Sequence, residues 1–184
     1  MTPLTDLQQI LAERSAQRGH FVLSSGRESS LYIDARLTTM SPDGLALIGK
    51  LGLDALERSE WNVESVGGLT LGADPVAYAI ALTSHSTRHQ VRAFTVRKEA
   101  KTHGTGRLIE GPFRPGDRVA VVEDVITTGA SALRAVEAIK AAGGTIAGVL
   151  AVVDREEGGR EVLEGEGLTV MALTTASAIL QRMK

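Results

Sequence analysis

The chain has 184 residues, 43% of them hydrophobic and 23% charged, with a formal net charge of −2 and no cysteine. Its length suits one domain with a full hydrophobic core, and its near-neutral balance argues against a broad nucleic-acid or membrane surface. The missing thiols exclude disulfide scaffolds and thiolate metal sites or nucleophiles, and no apolar run approaches the ~18–20 residues that span a bilayer. The N-terminal stretch is too polar for a signal peptide and carries acids that a transit peptide avoids, so a cytoplasmic protein is expected.

In chain order, Thr5 to Ala16 reads as an amphipathic helix, with Leu4, Leu7, Ile10 and Leu11 at helical spacing and Thr5 with Gln8 as a capping box. The segment from His20 to Arg36 alternates and breaks at SSGRESS, as a hairpin or small strand pair does. A second helix begins near Ser41, with Leu47, Ile48, Leu51 and Leu56 inward. From there strands and helices alternate. Val63–Leu69, Gln90–Val96, Arg118–Val122, Thr145–Val153 and Leu168–Thr174 read as strands, and Pro75–Leu82 and Ala130–Ala142 as helices. GPFRPGDR is turn chemistry, and the acidic stretch REEGGREVLEGEG reads as a solvated connection. Such alternation predicts an α/β fold, a parallel sheet with helices on its faces.

The stretch VAVVEDVITTGASA, Val119 to Ala132, carries the chemistry. A buried strand runs into two adjacent carboxylates, Glu123 and Asp124, and then into TTGAS at the start of a helix. Ligands of open parallel sheets bind beyond the carboxyl ends of the strands. Backbone N–H groups at a helix start, with Thr and Ser hydroxyls, make an anion site, and a glycine allows close approach. Acids beside a phosphate cradle should face something other than the phosphate, and the vicinal hydroxyls of a ribose are the natural candidate. The stretch is suited to a sugar phosphate.

A second dense region, FTVRKEAKTHGTGRLIEG, follows a strand and concentrates Arg97, Lys98, Lys101 and His103 before two glycines. A basic loop of this kind can neutralise charge growing on a diphosphate leaving group. Either region alone has a bland reading, as a capped turn or as a solvated charge run.

Together, these motifs resemble the type I phosphoribosyltransferases. Glu123 to Ser131 is similar to their signature for phosphoribosyl pyrophosphate (PRPP), and RKEAK-x-HG-x-G resembles the catalytic loop of the orotate phosphoribosyltransferases. FVLSSGRESSLYIDAR is similar to that family's N-terminal hood, GGLTLGADPVA to its pyrophosphate loop, and VVDREEGG to the segment holding an arginine for the orotate ring. The resemblance implies a type I phosphoribosyltransferase fold, a twisted, mainly parallel sheet flanked by helices with a small N-terminal hood. One domain would span residues 1–184, the hood formed mainly by about 1–40 and the core by about 41–184. Arg97, Lys98, Lys101 and His103 would contact the diphosphate, and Lys101 would stabilise the transition state. Glu123 and Asp124 would hold the ribose hydroxyls, and Asp124 joins Lys101 as a catalytic candidate. Val125, Ile126, Thr127, Thr128, Gly129, Ala130 and Ser131 would complete the PRPP site, with Thr127 and Arg155 also meeting orotate. Magnesium would be carried mainly by PRPP rather than by protein ligands. The reaction implied is the conversion of orotate and PRPP to orotidine 5′-monophosphate and pyrophosphate in pyrimidine biosynthesis. A homodimer is also implied, the basic loop of each chain reaching its partner's site.

The chain departs from the family at several positions. Many members carry a lysine where Ser24 stands, and several a tyrosine–lysine pair where Thr70 and Leu71 stand. Arg27 is the candidate substitute. Ser30 replaces a proline, and the aromatic pair is reduced to Tyr32 and Ile33. Two other readings stay open here: the same chemistry on a purine or uracil, and a non-catalytic PRPP sensor. Trp61, His20, His85 and His89 read as structural or local, and the Glu156–Glu157 pair as solvated.

Overall fold

A computed structural model describes residues 2–22, 28–99 and 108–183. The first helix, α1, spans Pro3–Ile10 and continues as one wider π turn over Leu11–Ser15. It starts earlier than the capping box at Thr5 suggests. Pro3 has its φ preset for the first helical position, and the Thr2 hydroxyl accepts from the Thr5 N–H at 3.2 Å. Strands β1 (Ala16–Val22) and β2 (Glu28–Ile33) form a separate antiparallel pair, from Ala16↔Ile33 to Val22↔Glu28, with a shift of register between Arg18 and Phe21. The turn expected at SSGRESS, with Ser24 and Arg27, lies largely outside the described residues.

A short helix, α2 (Arg36–Thr39), precedes α3 (Pro42–Arg58), which Ser41 caps by accepting from the Gly44 N–H. Ile48 and Leu56 are buried as their spacing predicts, while Leu47 and Leu51 are partly buried against the same core. There follow β3 (Ser65–Leu69), α4 (Ala73–Ser84), β4 (Arg92–Val96) and β5 (Ile109–Glu110). After them come β6 (Arg118–Ile126), α5 (Ala130–Ala141), β7 (Thr145–Asp154), α6 (Gly159–Gly165), β8 (Val170–Thr175) and α7 (Ala176–Leu180). The main sheet has the order β5-β4-β3-β6-β7-β8, with only the β4–β5 pairing antiparallel. The α/β architecture expected from the alternation is therefore the one found.

Strand β6 shows why the sheet is central. Ala120 and Val122 pack on one face with Ile48, Val76 and Ile80 from α3 and α4. Val119 and Val121 pack on the other with Ala135, Ile139 and Leu163 from α5 and α6. A strand covered on both faces loses its polar alternation and reads as a continuous apolar run. Each fully buried valine contributes on the order of 1.5–3 kcal/mol. The six-membered ring of Trp61 occupies the space that a side chain at Gly148 would need, so its role is packing. His89 is engaged with the Val63 carbonyl at 2.6 Å. No helix among the described residues is long and apolar enough to cross a membrane.

Chain order reverses between β3 and β6, since β4 lies beyond β3 on one side and β7 beyond β6 on the other. Pairing across this seam runs only from Ser65↔Val119 to Gly67↔Val121, whereas β6 and β7 stay paired as far as Ile126↔Asp154. A crevice beyond the strand ends at such a reversal is where open α/β sheets bind ligands.

Candidate active site

An open cleft of about 690 Å³ lies at that reversal, beneath the β1–β2 pair. The loop after β3 supplies Thr70, Leu71 and Gly72, and the segment after β4 supplies Lys98. From β6 and its loop come Glu123, Asp124, Val125, Thr127, Thr128 and Ser131, while Arg155 and Glu157 follow β7. The antiparallel pair and the turn after it add His20, Phe21, Tyr32, Asp34 and Arg36 from above.

The two carboxylates lie within β6, which runs on to Ile126 rather than stopping at Val122. Pairing of Glu123↔Ala151 and Val125↔Val153 carries the strand through them, because tertiary pairing overrides the poor strand propensity of acids. Glu123 is 5% exposed, and its Oε1 has no hydrogen-bond partner among the described residues. Burial, and then the neighbouring Asp124, push its carboxyl up to about 8. Burial raises Asp124 as well, while the Val125 N–H, which donates to Oδ1 at 2.8 Å, acts the other way. Gly72 presses close to Asp124: a Cβ there would lie 2.5–2.6 Å from its carboxylate atoms. A buried acceptor without a partner, as Glu123 Oε1 is among the described residues, suits a ligand that brings hydroxyl donors. Among the described residues no three His, Cys, Asp or Glu side chains group to hold a metal ion by themselves.

The loop Thr127–Gly129 leads straight into α5. Gly129 takes φ +79° as the residue before the helix, a conformation glycine adopts without strain, and a Cβ there would meet the Gly159 carbonyl at 3.0 Å. Backbone N–H groups at the start of this 12-residue helix therefore open onto a small hollow lined by Thr127 to Ser131. Ile126 is different: its side chain is 2% exposed and packs in the core, and its carbonyl accepts from the Arg155 N–H at 2.9 Å.

Arg155 is buried, and its Nη2 donates to the Leu31 carbonyl at 2.9 Å and to Glu157 Oε1 at 2.6 Å. Glu157 thus belongs to the cleft, not to a solvated connection, and α6 with buried Leu163 replaces the loop expected after it. Lys98 lines the cleft, but Arg97 lines an adjoining groove with Arg134 and Glu137. Lys101 and His103 lie outside the described residues. Sequence patterns missed His20, Asp34, Arg36 and Glu157. For Asp34 and Arg36 the available signal was a carboxylate and a guanidinium two residues apart at a helix start, and for His20 its place at the head of the hood.

Asp74 ties the loop after β3 to β4. Its Oδ2 accepts from the Thr70 hydroxyl at 2.6 Å and its Oδ1 from the Thr95 hydroxyl at 2.8 Å, and Thr95 in turn meets the Tyr78 hydroxyl at 2.8 Å. Asp74→Ala leaves two part-buried hydroxyls without their acceptor, a cost of about 1–3 kcal/mol. Thermal denaturation should then show a melting temperature lowered by roughly 3–8 °C.

Paired carboxylates at a strand-order reversal, beside a hydroxyl-rich loop on a helix start, in an α/β sheet of this topology, match the type I phosphoribosyltransferase class that the sequence resembles. The chain is 49% identical over 177 residues to an orotate phosphoribosyltransferase of Aquifex aeolicus, covering 95% of this chain and 96% of that one. Among solved structures it is similar to the orotate phosphoribosyltransferase of Mycobacterium tuberculosis. One crystal structure of that enzyme, in complex with Fe(III) dicitrate, has TM-score 0.85 and 44% identity, covering 97% of this chain and 99% of that one. Another, in complex with PRPP, has TM-score 0.81 and 41% identity, with the same coverage. No family model matches the chain. The chain belongs to the orotate phosphoribosyltransferase family.

Proposed function

We propose that this chain transfers the phosphoribosyl group of PRPP to orotate, releasing pyrophosphate and forming orotidine 5′-monophosphate for pyrimidine biosynthesis. The observation that carries this reading is buried Glu123 with partly buried Asp124 beside the Thr127–Ser131 loop, at the reversal between β3 and β6. The identity of the relatives points the same way.

In this mechanism Glu123 and Asp124 accept from the ribose hydroxyls, supplying the donors that Glu123 Oε1 lacks. Thr127 to Ser131 cradle the 5-phosphate, with backbone N–H groups and hydroxyls in place of lysines, and Val125 and Ile126 complete the PRPP site. Ile126 contributes through its backbone alone. Orotate lies under the β1–β2 pair against Thr127 and Arg155, whose guanidinium is already oriented by Glu157 and Leu31. The bond from the ribose C1 to the diphosphate breaks, and the bond from C1 to a ring nitrogen forms as that nitrogen gives up its proton, which leaves with the diphosphate. Arg97, Lys98, Lys101 and His103 meet the departing diphosphate, with Lys101 stabilising its growing charge. Glu123 and Asp124 are the residues that would hold the ribose hydroxyls beside a magnesium ion carried mainly by PRPP. Magnesium would withdraw charge from the diphosphate as it leaves.

The chain works as a cytoplasmic homodimer in this reading, one domain over residues 1–184 with the β1–β2 pair in a hood of about residues 1–40. Two features support shared sites. Arg97 turns toward the groove outside its own cleft, and α4 exposes Tyr78 and Leu82, one helical turn apart and 52% and 78% exposed. The test is the absorbance of orotate on mixing with PRPP. A magnesium-dependent loss of orotate is the expected result. No loss, with PRPP binding intact, would turn the assignment to another base or to a PRPP sensor.

A further inference from the structure

We propose that Arg36, held in place by Asp34, is a diphosphate-binding residue of the cleft, a reading that rests on PRPP being the substrate. Three cations whose side chains are described line this cleft: Lys98, Arg155 and Arg36. Arg155 is buried against Glu157 and the Leu31 carbonyl. Arg36 is arranged differently. Its Nε donates to Asp34 Oδ1 at 2.8 Å and its Nη2 to Asp34 Oδ2 at 3.0 Å, so the carboxylate grips one edge of the guanidinium. The other edge, Nη1, has no partner among the described residues.

An ion pair this open, with side chains 49% and 23% exposed, contributes little to stability. Its use lies in what the outer edge meets. Because Asp34 fixes the fork, little side-chain freedom remains to be lost when an anion docks there, and an arginine fork suits phosphate oxygens. Arg36 stands close enough to Asp124 to favour its ionised form, while its partner Asp34 acts the other way. In the proposed reaction Asp124 holds a ribose hydroxyl, and the diphosphate leaves from the carbon next to the hydroxyl-bearing one. A cation facing Asp124 from the hood is therefore within reach of that group.

The charge pattern of the cleft agrees. Leu71 lines the cleft and is 54% exposed, an apolar side chain where several relatives of this family carry lysine. Arg36 restores one positive charge to a cleft that also contains Asp34, Glu123, Asp124 and Glu157. It stands as a candidate beside Arg27, which lies outside the described residues.

The test compares Arg36→Ala, Arg36→Lys and Asp34→Asn by kinetics and by calorimetric titration with PRPP, inorganic pyrophosphate and orotate, each with magnesium. Arg36→Ala should raise the KM for PRPP and the Kd for PRPP and pyrophosphate by about tenfold. Its orotate constants and melting temperature should stay at wild-type values. Arg36→Lys should recover part of the loss, because it restores the charge without the fork. Asp34→Asn should give a smaller loss in the same direction. Unchanged PRPP and pyrophosphate binding in Arg36→Ala would overturn the proposal, as would a rise confined to orotate, which would assign the arginine to the base's carboxylate. A wild-type protein that binds PRPP but leaves orotate untouched would defeat the reaction, and the pyrophosphate titration would still decide the role of Arg36.

Discussion

Lys101→Ala is expected to lower turnover of orotate by about 10²–10³-fold while PRPP affinity changes only a few-fold. The asymmetry follows from when the charge appears. In the proposed mechanism the ground-state diphosphate would already be met by other cations, so one ammonium would add little. As the C1–O bond lengthens, negative charge accumulates on the leaving oxygens, and a lysine positioned there gains in the transition state alone. Steady-state kinetics and PRPP titration of the same variant separate the two quantities. A loss of PRPP affinity with turnover unchanged would assign Lys101 to binding. Lys98 gives an internal comparison, since the end of β4 places it at the cleft of its own chain.

The second large effect concerns the strand-end acids. Asp124→Asn removes a charged acceptor for a ribose hydroxyl and is expected to cost about 10²-fold in kcat/KM for PRPP. Mixing this variant with Lys101→Ala should restore activity toward roughly one quarter of wild type, since a mixed dimer with shared sites keeps one intact site. No recovery on mixing would place Lys101 in the cleft of its own chain. Glu123→Gln has a signature in stability. The folded carboxyl titrates at about 8 and the unfolded one near 4.5, so between these values the folded chain binds the extra proton. Stability must then fall as pH rises through that window, because burial disfavours the ionised form. The amide has no such charge to bury. At pH 9 the variant should melt roughly 5 °C above wild type, and at pH 4.5 the two should converge. Asp124, raised by the same burial, leaves part of the slope in both proteins.

The centre of the site was legible in the sequence because its geometry is local. A parallel strand must deliver its last residues to the start of the following helix, so Glu123 to Ser131 could be read as one unit. Lys98 followed from the same rule applied to β4. The roof was less legible. Helices α2, α6 and α7 have 4, 7 and 5 residues, too few for a 3.6-residue period to stand out. Asp34, Arg36 and Glu157 belong to the cleft only because distant segments fold over it. The Arg155 Nη2 bond to the Leu31 carbonyl, which joins β7 to β2, has no local sequence signal. The cap at Thr2 and the passage of β6 through two acids were decided by a neighbouring proline and by pairing with β7, respectively.

The seam between β3 and β6 has a mechanical consequence. Backbone pairing there ends at Gly67↔Val121, and the cleft opens just beyond it, so the two halves of the sheet are joined over a shorter span than β6 and β7. A ligand gripped by Thr70–Gly72 on one side and Glu123–Ser131 on the other would act as a clasp across that joint. Loading the cleft would then stiffen the whole sheet against opening, and the resistance of the chain to proteolysis would follow its supply of substrate.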